Sequence, residues 1–281
     1  MSEWRRIDHR LDIIPPDERG FQYGDGLFET VAIRGGKARL WSYHARRLET
    51  SCRKLGLEQP VDGLLDIYLE AALRDTSENS NCCIAKIIVT AGVAGRGYAR
   101  RMPSPAQTYV GIFPATPPNK PAYQKGVATI LCKTRLAVGS PLAGLKTLNR
   151  LEQVLARSEV APTGAFEGLT LDAEGRVICG TMSNVFIVRG NQVMTPSLRG
   201  CGVAGIMREL VLEELRKQEN PATTCDLDLD DLKAADEVFI TNSQMGAVPI
   251  HRCGDMRWSV GPVTRDVMGL LAARGIEECR L

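Results

Sequence analysis

Apolar residues recur at helical spacing in the middle of the chain. In GLKTLNRLEQVLAR, residues 144–157, and just beyond it, Leu148, Leu151, Val154, Leu155 and Ser158 fall on one face at i, i+3, i+4 intervals, which predicts a helix. Asn149 followed by Glu152 reads as its N-cap with the reciprocal partner. Lys146 therefore stands just ahead of a helix N-terminus, where unpaired N–H groups disfavour a positive charge. Burial there would push the side chain further toward the neutral amine, a nucleophile and a base. The ordinary alternative is a solvated surface lysine.

The rest of the chain is read in two halves. GLFETVAIRGGKARLW predicts a strand and a return, with Gly35-Gly36 as the hairpin turn. Helices at 42–55 and 61–74 follow, the first with Leu48, Cys52 and Leu55 inward. Next come the strand CCIAKIIVTAG, the glycine-rich loop VAGRGYARR and a strand at 107–113. FPATPPNKPAY (113–123) holds four prolines and reads as an extended linker. Beyond it come a strand at 126–133, the Lys146 helix and a meander of EGLTLD, RVICG and SNVFIVRGNQVMTP. The helix GIMRELVLEELRKQ, the strand DEVFITN and a helix near 262–274 close the chain. Strands and helices interleave in both halves, so the expectation is α/β in two domains: 1–116, a linker at 117–123, and 124–281.

Composition narrows the class. Of 281 residues, 44% are hydrophobic and 24% charged, ordinary for a globular protein. A formal net charge of +2 gives no nucleic-acid footprint. The start, MSEWRRIDHR, has no apolar segment after its charges, so no signal peptide is expected. The most apolar stretch, IAKIIVTAGVAG, is broken by Lys86 and two glycines, so no membrane span is expected. Nine scattered cysteines with no C-x-x-C pair imply reduced thiols and a cytoplasmic protein. Three dispersed histidines, His9, His44 and His251, do not suggest a metal site.

Several stretches suit an anion. The N–H groups of Gly205, Ile206 and Met207 open a helix after a glycine-spaced loop and form a candidate phosphate cradle. Thr241, Asn242 and Ser243 end a strand with donors of the same use. HARRL places Arg46 and Arg47 on a helix, one facing solvent and the other inward. Arg96 and Tyr98 lie in a loop suited to a carboxylate. Taken singly, each has a plain alternative: a glycine turn, a polar loop, a solvated arginine pair, a mobile basic loop.

Taken together, FQYGDGLFET, HARRLETSCRKLG, GRGY, GLKTLNRLEQVLAR, SNVFIV, GVAGIMREL and DEVFITNS resemble the class IV aminotransferase-like family of pyridoxal 5'-phosphate (PLP) enzymes, in the family's order over residues 19–250. LAGLK-x-LNRLEQVLAR resembles its aminodeoxychorismate lyase branch. The resemblance implies a two-domain α/β fold of the D-amino acid aminotransferase-like type, with PLP between the domains and a homodimer completing the site. It matches Lys146 to the Schiff-base lysine and catalytic base, and Arg47 to the phosphate-binding arginine. Ile206 and Met207, with Gly205 before them, match the helix-start contacts, and Ser243 the hydroxyl contact to the phosphate. Arg96 and Tyr98 match the substrate-carboxylate loop, and Phe28 the pocket wall. The implied reaction eliminates pyruvate from 4-amino-4-deoxychorismate and leaves 4-aminobenzoate, a folate precursor. A class IV aminotransferase acting on a D- or branched-chain amino acid, or a member repurposed on the same fold, are the alternatives.

One departure bears on the chemistry. Cys179 stands where the family carries a glutamate against the PLP ring nitrogen. A neutral thiol cannot keep that nitrogen protonated. Glu174 lies five residues earlier, on the opposite face of an ideal strand, and is not expected to substitute. Thr147 replaces the lyase branch's usual histidine, and Ala91 an arginine that often precedes the glycine-rich loop. Elimination that ends in an aromatic ring tolerates a weaker electron sink than transamination does.

Overall fold

The computed structural model describes residues 3–6, 14–60, 63, 66, 70, 82–100 and 102–281. The helix expected at 61–74 lies outside the described residues. The chain forms two units, residues 1–116 with Leu145–Asn149, and Pro117–Gly144 with Arg150–Leu281.

In the first unit the glycine pair does what the pattern predicts. Gly35 and Gly36 take φ of +54° and +73°, open to glycine at little cost, and turn strand β2 (Gly26–Arg34) into β3 (Lys37–Ala38). With β1 (Glu3–Arg6), β4 (Cys82–Thr90) and β5 (Gln107–Pro114) these make an antiparallel sheet ordered β1-β5-β4-β2-β3. A short helix α1 (Arg19–Tyr23) precedes β2, and α2 (Trp41–Leu55) lays Leu48 and Cys52 on Val31, Ile33, Ile87 and Val89. Each such fully buried side chain contributes about 1.5–3 kcal/mol.

The segment around Lys146 differs from its expected form. Leu145–Asn149 is not helical, and it pairs with the start of β2. Phe28 N–H donates to the Lys146 carbonyl (3.0 Å), Leu148 N–H to Gly26 (3.0 Å), and Leu27 bridges Thr147. These ladder bonds compete with helix formation and win. Asn149 caps no helix; its side-chain amide donates to the Gly24 carbonyl (3.0 Å).

The second unit opens on a correction. The proline-rich stretch is not extended throughout: Asn119 accepts from Ala122 N–H and caps α3 (Lys120–Lys125). Pro121 fits there, because a first-turn N–H has no intrahelical acceptor to lose. The strands are β6 (Val127–Leu136), β7 (Glu167–Asp172), β8 (Val177–Gly180), β9 (Asn184–Arg189), β10 (Gln192–Pro196), β11 (Thr223–Cys225), β12 (Glu237–Asn242), β13 (Gly246–Cys253) and β14 (Met256–Arg257). They run in the order β11-β10-β9-β12-β13-β6-β7-β8, and β8 also pairs with β9, closing a ring of six strands. Residues 185–188 of β9 and 238–240 of β12 are apolar and buried on both faces of the ring. Those helices are α4 (Leu151–Val160), α5 (Ile206–Arg216), α6 (Leu229–Lys233) and α7 (Pro262–Ala273). Among the described residues no helix is long and apolar enough to cross a membrane.

Helix α4 begins one residue later than expected, with Arg150 at its N-cap and no side-chain cap bond. Its apolar stripe is not inward either. Leu151, Val154 and Leu155 are 77%, 56% and 60% exposed, while Ala156 and Val160 face the core beside Cys132. Small residues let the helix approach the sheet closely, and the larger apolar ones point away.

Candidate active site

Lys146 is held by its own backbone. The pairing with β2 sets Phe28 beside it, and the Lys146 Nζ lies 4.2 Å from the centroid of the Phe28 ring. The Lys86 ammonium sits 5.3 Å from the same centroid. The helix-start argument for Lys146 does not describe its surroundings, since α4 starts five residues further on. A half-buried amine beside an aromatic wall replaces it.

Helix α2 carries the next part. His44 and Arg47, one turn apart, share the face that looks at β2. Arg47 donates from Nε to Glu29 Oε1 at 2.7 Å and from Nη2 to Oε2 at 2.5 Å, a forked pair. His44 Nδ1 meets the same Oε2 at 2.7 Å. Glu29 is 1% exposed and His44 fully buried. Burial works to raise the Glu29 pKa, but the Arg47 charge and the bonds from His44 and Arg47 outweigh it and bring the carboxyl down to about 2. Burial lowers that of His44, against its bond to Glu29. Glu29 is thus an anion, His44 is neutral, and Nδ1 carries the proton because Glu29 can only accept. Arg46, by contrast, is exposed and lies over the Tyr43 ring.

Arg96 and Tyr98 stand in an exposed loop, Tyr98 against the Tyr23 ring with centroids 5.6 Å apart. The loop is tied from beneath. Buried Arg19 donates to the carbonyls of Gly97 (2.9 Å) and Tyr98 (3.1 Å) and to Asp25 (2.8 Å), and Arg100 holds the other oxygen of Asp25.

In the second unit, Cys179, the α5 start and the Thr241–Ser243 corner gather on Asn184. Cys179 pairs with Asn184 across β8 and β9, and Asn184 with Thr241 across β9 and β12. A Cβ on Gly205 would lie 1.9 Å from the Asn184 Oδ1, so only glycine fits where the helix begins. The Asn184 amide also donates to the Val203 carbonyl at 3.0 Å. No side chain caps α5, which leaves the N–H groups of Ile206 and Met207 to an outside acceptor. Ser243 lies in a turn that the Asn242 Oδ1 braces through the N–H groups of Gln244 and Met245.

Cys179 is buried and close to the Thr170 hydroxyl, 3.4 Å from it, and burial pushes the thiol up to about 12. It is neutral at any working pH. Glu174 is turned elsewhere, paired with Arg176 at 3.0 Å. Glu167, fully buried, instead ties the β8–β9 turn: it accepts from the hydroxyls of Thr181 and Ser183 and from nearby N–H groups.

Glu29, His44 and Asn184 have no assigned role in the sequence reading, although GLFET, HARRL and SNVFIV contain them. The i, i+3 pairing of His44 with Arg47 was the available signal.

The chain belongs to the amino-transferase class IV family, whose model matches residues 26–253. It is 36% identical to an aminodeoxychorismate lyase of Vibrio harveyi over 92% of this chain and 95% of that one. The crystal structure of 4-amino-4-deoxychorismate lyase from Pseudomonas aeruginosa superposes with a TM-score of 0.84 at 38% identity, covering 97% and 98%. A putative branched-chain-amino-acid aminotransferase of Methanocaldococcus jannaschii is 31% identical over 87% of this chain and 84% of its own length.

Proposed function

We propose that the chain is an aminodeoxychorismate lyase: a PLP-dependent carbon–oxygen lyase that converts 4-amino-4-deoxychorismate to 4-aminobenzoate and pyruvate in folate biosynthesis. The observation that carries it is the likeness to lyases of Vibrio harveyi and Pseudomonas aeruginosa over nearly the full chain, with Lys146 and Arg47 both present. The residues fit the cofactor's two ends. In the first unit Lys146 would offer an amine for its aldehyde and Arg47 a charge for its phosphate; in the second, the uncapped N–H groups of Ile206 and Met207, and Ser243, would offer donors suited to a phosphate.

When bound, the cofactor supplies a conjugated ring that accepts electron density from the carbon bearing the substrate's amino group. Lys146, as a neutral amine, would take the proton from C4 of the substrate. Loss of that proton sets up cleavage of the C3–O bond and an aromatic product. Phe28 walls the amine, and Arg96 and Tyr98 hold the substrate carboxylate. Cys179, a neutral thiol, does not protonate the ring nitrogen. That favours elimination, whose aromatic product provides its own driving force, over amino-group transfer.

The protein works as a homodimer in the cytoplasm, supported by the exposed apolar face of α4 and by nine free thiols. We place the domain division at residues 1–116 and 124–281, with 117–123 as the linker. The second reading, an aminotransferase for D- or branched-chain amino acids, draws on the 31% identical relative. The test is the absorption spectrum with added PLP before and after borohydride, with mass spectrometry of the modified lysine, followed by an assay for 4-aminobenzoate. An adduct on Lys146 and release of 4-aminobenzoate with pyruvate are expected. No adduct on Lys146 rejects the cofactor; an adduct with only 2-oxo-acid-dependent amino transfer selects the second reading.

A further inference from the structure

We propose that His44 is a positioning residue for the phosphate arm of the cofactor, acting through Glu29 on Arg47. The inference rests on the PLP reading above and adds to it how the phosphate-binding cation is aimed. Glu29 Oε2 receives two donors, His44 Nδ1 and Arg47 Nη2, while Oε1 receives Arg47 Nε. The fork fixes the guanidinium against the carboxylate plane, and the imidazole fixes the carboxylate. Glu29 and His44 are withdrawn from bulk water and Arg47 largely so: Glu29 is 2%, His44 0% and Arg47 14% exposed at the side chain.

The imidazole has the state this role needs. Glu29 can only accept, so Nδ1 carries the proton and Nε2 has only a lone pair. Nε2 is buried without a hydrogen-bond partner. A lone pair left unmet is tolerated in a way that a buried N–H of a charged imidazolium is not. A histidine serving packing alone would gain nothing from keeping two nitrogens in an apolar core. One bond, to Glu29, accounts for its presence there.

The consequence is specific to phosphate. Loosening Glu29 lets the Arg47 fork swing, which weakens a phosphate ester and leaves a ligand without phosphate unaffected. The experiment titrates the full-length chain with PLP and with pyridoxal, which lacks the phosphate, following the visible band. His44→Leu is expected to lower PLP affinity tenfold or more, the usual consequence of losing a buried bond to a charged group. Its pyridoxal affinity is expected to stay within twofold of the wild type. His44→Asn, whose side-chain amide reaches the place of Nδ1, is expected to recover most of the PLP affinity.

An unchanged PLP affinity in His44→Leu overturns the inference. So does an equal loss for PLP and pyridoxal, which marks a general structural defect. An asparagine variant no better than leucine, in protein that melts as the wild type does, also overturns it. Wild-type protein that binds neither ligand overturns the cofactor reading itself, and that result is seen before any variant is made.

Discussion

The Asn184 amide occupies the space that a side chain on Gly205 would need: its Oδ1 would lie 1.9 Å from a Cβ there. One residue of β9 thereby sets how closely the start of α5 approaches the barrel. A Gly205→Ala substitution must displace either the asparagine or the helix, and with it the N–H groups of Ile206 and Met207. We expect PLP affinity to fall several-fold in Gly205→Ala. Asn184→Ala removes the obstructing group, so the double variant should lose less than the sum of the two single changes. Additive losses in a double-mutant cycle on PLP affinity would refute contact between the two as the cause.

Cys179 concerns the electronics of the site. Its thiol, at about 12, neither ionises nor donates strongly, and it lies 3.4 Å from the Thr170 hydroxyl. Cys179→Glu should raise amino transfer from a D- or branched-chain amino acid to a 2-oxo acid while lowering 4-aminobenzoate formation. The new carboxyl would be buried with Glu167 near enough to be felt, so the variant should also be less stable, by about 1–3 kcal/mol. The two activities are measured on one preparation of each protein. Ready transamination by the wild type would show that Cys179 does not impose the preference.

Much of this was legible in the chain because period-two and glycine-pair signals are local. The hairpin at Gly35-Gly36, the meander at 167–196 and the α2 and α5 helices lie where residue spacing puts them. The segment around Lys146 departs from its sequence pattern for a physical reason: a helical pattern there competes with the open edge of β2, and the ladder bonds from Phe28 and Leu148 take the backbone first. Helix α4 misled in the same way. Periodicity shows which residues share a face, not which face is buried, and Ala156 with Val160 won the inner position. Asn184 and Glu29 were hidden because their partners are distant in sequence: Gly205 for the one, and a helix residue eighteen positions on for the other.

Acid should loosen the first unit. The folded pKa of Glu29 is about 2, below its ordinary 4.5, so its contribution is complete above 4.5 and is lost as pH falls toward 2. That difference corresponds to roughly 3 kcal/mol. His44 acts in the same direction: its folded pKa lies below 6.5, so the unfolded chain takes up the proton first, and stability declines as pH drops under 6.5. The melting temperature of the apo protein should therefore fall from pH 6.5 downward and more steeply below 4.5. Glu29→Gln should have a lower melting temperature at neutral pH and a shallower slope below 4.5. Parallel slopes in the two proteins would assign the acid sensitivity to other carboxylates.

Helix α4 leaves an oligomeric state to be tested. Leu151, Val154 and Leu155 are 77%, 56% and 60% exposed on ten residues of helix, a stripe that a lone chain in water has no reason to keep. Burying each leucine contributes about 1.5–3 kcal/mol, and a second copy can cover the same face by two-fold symmetry. Sedimentation at micromolar concentration should give twice the 30.7 kDa chain mass. Leu151→Glu with Leu155→Glu should give the single mass, because each carboxylate would have to leave water to re-form the contact. In a monomer both positions face solvent, so the substitutions should change the melting of that form little. A wild-type chain that sediments as a monomer rejects the dimer, and a double variant that remains dimeric moves the interface to another face.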